Sequence, residues 1–214
     1  LIVSLGTKLR IDKLKKVRDW FLNNEILDFG DPAENYFRSR VLPEDFVDSK
    51  EVQGNVVKYF ASFDEAIQDF YVEELRQDDE KDTGKGYKID ALHKMVDSQE
   101  LASIPLKLES SGTLKMFALY PSLKDVLDHG GTLFIDELNA RLHPLLVRNI
   151  ILTFLSPEIN TQNAQLIFTT HDVWQFSNEL LRRDEIWLVN KNRDGVSELY
   201  SLADFKDEEG NKVR

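Results

Sequence analysis

The chain lacks several features, and each absence excludes a class of protein. It contains no cysteine, so disulfides, thiolate zinc sites and a cysteine nucleophile are excluded. It contains no run of about eighteen apolar residues, so no membrane-spanning helix is expected. Positive charge is not in excess, because 38 acidic residues outnumber 27 basic ones and the net charge is −11. Broad DNA binding needs a basic face that replaces phosphate counterions, so this balance argues against it, although a local basic patch stays open.

What is present suffices for a folded domain. The 214 residues are 42% hydrophobic and 30% charged, which suits one ordinary domain, alone or with a small appendage, and a sizeable core. The lack of cysteine fits a reducing compartment, and the first residues resemble no signal peptide, so a cytoplasmic location is expected. Because the chain begins with Leu1 rather than Met, we expect it to be part of a longer polypeptide.

Apolar spacing in the first half predicts a mainly helical region over residues 1–105. Residues 8–23 carry apolar side chains at the spacing of one helix face, and helical spacing returns from Val56 to Leu75. Asp31-Pro32 marks a break between these segments. The charged, glycine-bearing stretch 77–86 is typical of an exposed loop.

In residues 106–214 strands and helices alternate. Helical spacing runs from Thr113 to Leu127, and short apolar runs at 132–135 and 164–169 predict two buried strands. Between these strands Pro144 opens another helix. Strand, helix, strand implies a right-handed parallel crossover and therefore an α/β fold with a parallel sheet. Two apolar runs on either side of the turn 192–195 predict a C-terminal β-hairpin.

The residues that carry chemistry follow the two buried strands. Asp136 and Glu137 end the first, and His171 comes after the second, about thirty residues later. Because ligands collect beyond the carboxyl ends of parallel strands, we expect these side chains to lie close together. Asp136 would bind Mg²⁺ through a water, Glu137 would orient a water toward a γ-phosphate, and His171 would hydrogen-bond that phosphate. The alternatives are an acidic surface loop and a structural histidine.

A turn of small residues lies upstream of these strands. Ser110, Ser111, Gly112 and Thr113 open the predicted helix and offer backbone N–H groups, hydroxyls and the positive end of a helix dipole to an anion. We place Ser110 and Gly112 against phosphate. The alternative is an ordinary helix cap with Ser110 as the N-cap.

In this order, the elements resemble the head of ATP-binding-cassette (ABC) ATPases. Ser110–Thr113 is similar to the signature loop of that family, Thr132–Glu137 to its Walker B strand, residues 139–144 to its D-loop and His171 to its switch histidine. Four short motifs resemble those of the AAA-family ATPases of bacterial abortive-infection and anti-phage systems: Ser-Gly-Thr-Leu-Lys, Ile-Asp-Glu-Leu, Leu-His-Pro and Phe-Thr-Thr-His-Asp. The resemblance implies that residues 106–214 are the second half of a head and residues 1–105 a helical insert or arm.

The resemblance also implies how such a head works. It would be an ATPase that uses ATP and Mg²⁺ and forms a homodimer or a higher oligomer. The signature loop would contact the nucleotide of the partner, while the Walker B carboxylates and the switch histidine act on the subunit's own nucleotide. Arg141 and His143 of the D-loop would couple the two sites. The dimer would regulate or drive a nuclease-like effector in phage defence, and contact with nucleic acid stays open although the charge does not indicate it.

One part of the family's site does not occur in this sequence. The Walker A pattern Gly-x-x-x-x-Gly-Lys-Ser/Thr is absent, and Gly84-Lys85-Gly86 lacks both its spacing and a preceding strand. The segment that grips the other phosphates would therefore lie upstream of Leu1. Two alternatives stay open: a DNA repair or recombination ATPase with the same head, and a non-catalytic interaction module with a degenerate head. Retention of both Asp136 and Glu137 argues against the second.

Overall fold

A computed structural model describes residue 8 and residues 11–22, 24–38, 41–61, 63, 65–75, 86–175 and 180–205. The chain forms two compact units, Leu1–Thr170 and His171–Arg214. The predicted exposed loop at residues 77–86 lies outside the described residues except for Gly86. In the described part of the chain, no helix combines the length and the apolar character that a membrane-spanning segment needs.

Helices and strands mix along the described residues. The helices are α1 (Asp12–Leu22), α2 (Pro32–Arg38), α3 (Lys50–Ala61), α4 (Ser111–His129) and α5 (Pro144–Leu155). The strands are β1 (Glu25–Asp28), β2 (Ile67–Leu75), β3 (Gly86–Lys94), β4 (Leu101–Pro105), β5 (Thr132–Asp136), β6 (Gln165–Phe168), β7 (Trp187–Lys191) and β8 (Ser197–Ser201). The α/β class that the sequence predicts is therefore confirmed, although strands also occur in the first half of the chain.

A small parallel sheet of the first unit contains the predicted crossover. The strand order is β1-β5-β6, and both neighbours run parallel to β5. Helix α5 connects β5 to β6, so the predicted strand–helix–strand unit is confirmed. The register aligns Asp28 with Asp136 and Phe168 with Ile135, so the carboxyl ends of the three strands are level. The prediction of a strand buried on both faces holds for much of β5 but not for β6, where Ile167 is 50% exposed.

Helix α4 connects this sheet to an aromatic core. It ends before Gly130, whose φ of 70° is a conformation that residues with a Cβ rarely adopt. An added Cβ would also lie 2.7 Å from the carbonyl oxygen of Gln162. Pro121 lies inside the helix, which continues through it. Among its buried side chains, Phe117 packs within 6.5 Å, ring to ring, of three further buried phenylalanines: Phe46, Phe60 and Phe70. These rings anchor the second turn of α4, which follows the candidate phosphate-binding residues.

The region before α4 corrects one expectation. Helical spacing from Val56 to Leu75 predicts a single helix, but the chain leaves α3 at Ala61 and forms β2 from Ile67. β2, β3 and β4 make an antiparallel sheet, so this region mixes helices with strands instead of being mainly helical. Its division from the rest of the chain at residue 105 stays a prediction.

Two further elements agree with the sequence. The helix predicted within residues 8–23 is present as α1, although its apolar residues stay partly exposed and none is buried. In the second unit β7 and β8 pair antiparallel across the turn at 192–195, which confirms the predicted hairpin. Gly195 takes a φ of 80°, the left-handed conformation that such a turn requires.

Candidate functional site

One threonine orders the end of β5. The hydroxyl oxygen of Thr169 accepts a hydrogen bond from the N–H of Glu137 at 2.9 Å, and the hydroxyl donates to Oδ1 of Asp136. The direction is fixed because the amide can only donate and the carboxylate can only accept. Thr169 is itself held in line with β5, since its N–H donates to the carbonyl of Ile135 at 3.0 Å. The two adjacent residues therefore present a carboxylate and a backbone amide to the same hydroxyl.

Glu137 leaves the strand in a tight turn. Its φ is 52°, a left-handed conformation that costs a non-glycine residue about 1–2 kcal/mol. The turn is closed by the N–H of Ala140, which donates to the carbonyl of Glu137 at 2.8 Å, and anchored by the N–H of Leu138, which donates to the carbonyl of Thr169 at 3.0 Å. These hydrogen bonds offset the strain of the left-handed conformation.

Strand β1 brings two further residues to this edge. Oδ1 of Asp28 accepts from the N–H groups of Gly30 and Asp31 at 2.8 and 3.0 Å, which folds the chain back over the strand end. A Cβ added to Gly30 would lie 2.7 Å from Oε2 of Glu137 and 3.1 Å from Oδ1 of Asp28. The Glu137 carboxylate thus lies directly against the backbone of Gly30. Sequence reasoning missed both residues; the short run Ile26-Leu27 ending in Asp28 was the available signal.

A buried lysine lies behind these carboxylates. Nζ of Lys115 donates to the carbonyls of Phe29 at 2.8 Å and Ala140 at 2.6 Å, and it lies 4.4 Å from the centroid of the Phe29 ring. Burial, followed by repulsion from Arg141, lowers the pKa of Lys115 to about 8, while the Glu137 and Asp28 carboxylates act in the opposite direction. Sequence reasoning missed Lys115, because nothing local distinguishes it from a surface lysine.

The turn of small residues is a helix N-terminus, as predicted. Ser110 is the N-cap of α4: its Oγ accepts from the N–H of Thr113 at 3.1 Å and shares a hydrogen bond with Thr113 Oγ1 at 2.8 Å. Ser110 and Ser111 are exposed. A Cβ at Gly112 would meet Ser110 Oγ at 3.7 Å and Leu146 Cδ1 at 3.8 Å, which is ordinary contact. The helix-cap alternative is therefore observed, and phosphate binding by these residues stays a prediction.

The other residues with predicted roles are His171, His143 and Arg141. His171 is exposed and begins the second unit, so its expected approach to Asp136 stays a prediction. The residue before it, Thr170, donates to Oδ1 of Asn139 at 2.9 Å. Nδ1 of His143 accepts from the N–H of Leu145 at 3.3 Å, so it caps α5, and its role in coupling two sites stays a prediction. Arg141 is exposed, with a φ of 58°.

The donor set at this edge fits a magnesium ion bound mainly by water and phosphate. Among the described residues, no group of three or more His, Cys, Asp or Glu is placed to hold a metal. Mg²⁺ however needs only one or two protein carboxylates, because it keeps waters and takes nucleotide oxygens as further ligands. Asp136 is exposed at the strand end with one oxygen oriented by Thr169, which suits that kind of coordination.

Comparison with known proteins agrees with this geometry. A family model described as "AAA domain, putative AbiEii toxin, Type IV TA system" matches residues 14–173, more than half of the chain. The matched range includes the N-terminus of α4, the end of β5 and His171, and it confirms the resemblance to abortive-infection ATPases. A search of the curated proteins gives no match. The chain belongs to this family of AAA, ATPase-like domains, which is associated with the AbiEii toxin and type IV toxin–antitoxin systems.

Proposed function

We propose that this chain is the hydrolytic half of a dimerising ABC-type ATPase head, which converts ATP to ADP and phosphate in the cytoplasm. The head would form a homodimer or a higher oligomer and would drive or restrain a nuclease-like effector in anti-phage defence. The observation that carries the proposal is the end of β5, where Thr169 holds Asp136 by its carboxylate and Glu137 by its backbone. This arrangement leaves the two adjacent carboxylates in different surroundings.

Those surroundings assign the two carboxylates different tasks. Asp136 is exposed and level with the strand ends, so it would hold the cation. Bound Mg²⁺ would neutralise charge on the phosphate oxygens. Glu137 leaves the strand in the left-handed turn, and its carboxylate rests against Gly30, so it would accept a hydrogen bond from the attacking water and orient it. His171 would hydrogen-bond the γ-phosphate of the same nucleotide.

The start of α4 supports a role in trans. Ser110, Ser111, Gly112 and Thr113 would face the nucleotide of the partner subunit, with first-turn N–H groups and the helix dipole directed at phosphate. Packing within the described residues does not require glycine at position 112, since a Cβ there meets only ordinary contacts. Close approach of a phosphate to the backbone would require it. The phosphate-gripping segment would come from outside residues 1–214, because the Walker A pattern does not occur in them.

The test is Glu137→Gln in the full-length protein that carries the phosphate-gripping segment. Glutamine keeps the shape of the side chain but cannot accept a proton from water, so kcat should fall about 100-fold or more. ATP affinity should stay within about threefold, and the dimer should accumulate with ATP and magnesium in size-exclusion chromatography with light scattering. Glu158→Gln, at an exposed position after α5, is the matched control and should leave all three unchanged.

Other outcomes of this experiment would refute the role of Glu137 or support a different function. Wild-type turnover by Glu137→Gln would refute the assignment of Glu137 as the residue that orients water. Failure of the wild-type full-length protein to bind ATP would instead support a non-catalytic interaction module. If added DNA stimulates ATP hydrolysis and the effector protein does not change it, the result would support a repair or recombination ATPase.

A further inference from the structure

Lys115 is the one buried basic side chain among the described residues. It is 6% exposed and lies five residues after Ser110, the N-cap of α4. Burial of an ammonium group costs several kcal/mol unless partners compensate, and an apolar residue of similar volume would fill the same space without that cost. Two carbonyl groups, those of Phe29 and Ala140, supply the compensation.

These two carbonyls belong to the segments that carry the site. Ala140 closes the turn that Glu137 begins, because its N–H donates to the carbonyl of Glu137 at 2.8 Å. The N–H of Phe29 donates to the carbonyl of Asp136 at 2.9 Å. One amine on α4 is therefore connected, through a single intervening residue on each side, to the backbone of both carboxylates.

We propose that Lys115 is a positioning residue that couples the turn carrying Glu137 to the loop at the start of α4. The inference rests on the proposed function, in which the turn acts on the subunit's own nucleotide and the loop acts on that of its partner. A shift of Glu137 would displace Ala140, and the hydrogen bond that Lys115 donates to the Ala140 carbonyl would pass the displacement to the first turns of α4. Each subunit would then adjust the loop that it offers to its partner according to the state of its own site.

The coupling does not need the positive charge. Burial lowers the pKa of Lys115 to about 8, so deprotonation of this group is accessible near neutral pH. The ammonium form has three N–H bonds and the neutral amine keeps two, which still suffice for two carbonyl acceptors. Hydrogen bonding, and not charge, is therefore the property that a test has to remove.

A mutant cycle without nucleotide tests the coupling. Thr169→Val removes the hydroxyl that holds Asp136 and Glu137, and amide hydrogen exchange is followed in residues 109–116 and 136–142. With Lys115 present, Thr169→Val should accelerate exchange in both segments, by about tenfold in the turn and by at least about threefold at the start of α4. In the Lys115→Met background it should accelerate exchange only in the turn.

The same helix supplies a matched control. Lys124 also lies on α4, but it is about half exposed and pairs with Asp128 at 2.5 Å. In the Lys124→Met background, Thr169→Val should still affect both segments. If Lys115→Met does not fold, Lys115→Gln replaces it, because its amide ends one bond shorter and cannot reach both carbonyls. Acceleration of both segments to the same extent in either Lys115 variant would overturn the proposal.

Turnover gives an independent readout in the full-length ATPase. Lys115→Met should lower kcat about tenfold and leave KM for ATP within about twofold, and Lys115→Arg, which keeps a fork of N–H donors, should restore most of kcat. The exchange cycle needs no nucleotide, so it can show coupling even in a protein that does not hydrolyse ATP. Exchange that is coupled between residues 109–116 and 136–142, together with a lack of ATPase activity, would refute the proposed function alone. Active hydrolysis with uncoupled segments would refute the role of Lys115 alone.

Discussion

Replacement of Gly30 by alanine should displace the proposed water-orienting carboxylate without unfolding the protein. The new Cβ would lie 2.7 Å from Oε2 and 3.0 Å from Cδ of Glu137. Ordinary contact begins near 3.4 Å, so the carboxylate has to retreat by about 0.7 Å. It can do so, because it is the end of a flexible side chain, and Gly30 does not have a left-handed φ that would strain alanine. The free energy of unfolding should therefore change by less than about 1 kcal/mol.

The displacement should appear in turnover. A misplacement of about 1 Å in a catalytic group costs about 100-fold, so Gly30→Ala should lower kcat of the full-length ATPase by about 10- to 100-fold while KM for ATP changes less than about threefold. Gly54→Ala is the matched control: a Cβ there meets nothing within 4 Å, and the position lies inside α3, so stability should rise slightly and kcat should not change. A kcat of Gly30→Ala within twofold of wild type, or a loss of more than about 2 kcal/mol of stability, would refute this reasoning.

Two further predictions concern α4. Gly112→Ala should leave the free energy of unfolding within about 1 kcal/mol of wild type, since its Cβ meets only ordinary contacts. It should weaken ATP-dependent dimerisation at least about tenfold in light scattering, and unchanged dimerisation would contradict the role in trans. Burial and Arg141 lower the pKa of Lys115 to about 8, so between pH 8 and about 10 the folded protein binds fewer protons than the unfolded chain and its stability rises with pH. The free energy of unfolding of the wild type, relative to that of Lys115→Met, should therefore rise by up to about 2 kcal/mol from pH 7 to pH 9.5 in chemical denaturation, and a constant difference would show that Lys115 does not titrate in this range.

The helices and strands that carry the site could be predicted because their signals are local in the sequence. Pro144 at the start of α5 and Gly130 at the end of α4 act on their own neighbours, and a run such as Leu133–Ile135 is short and apolar enough to be a strand. Because a parallel neighbour has to follow after a crossover helix, the β5–α5–β6 unit could be inferred from these signals alone. The hairpin at 192–195 is local in the same sense.

Features that depend on distant partners could not be predicted. The hydrogen bond from Lys115 to Phe29 joins residues 86 positions apart, and the edge strand β1 is recognisable only because it pairs with β5. The prediction of a helix from Val56 to Leu75 was wrong for another reason. The phenylalanines of this segment occur at helical spacing, but Phe70 reaches the aromatic core from strand β2. Burial against Phe117 selected the strand over the local periodicity.

Strand register decides which residue stands beside Asp136. Phe168 is aligned with Ile135, so the residue level with Asp136 is Thr169, while the approach of His171 to Asp136 stays a prediction. A small hydroxyl at that point can accept from the Glu137 amide and donate to the Asp136 carboxylate, and an imidazole ring has no atom that does both. Thr170 is fixed in turn to Asn139. The backbone immediately before His171 is therefore tied to the turn that carries Glu137, because Asn139 belongs to that turn.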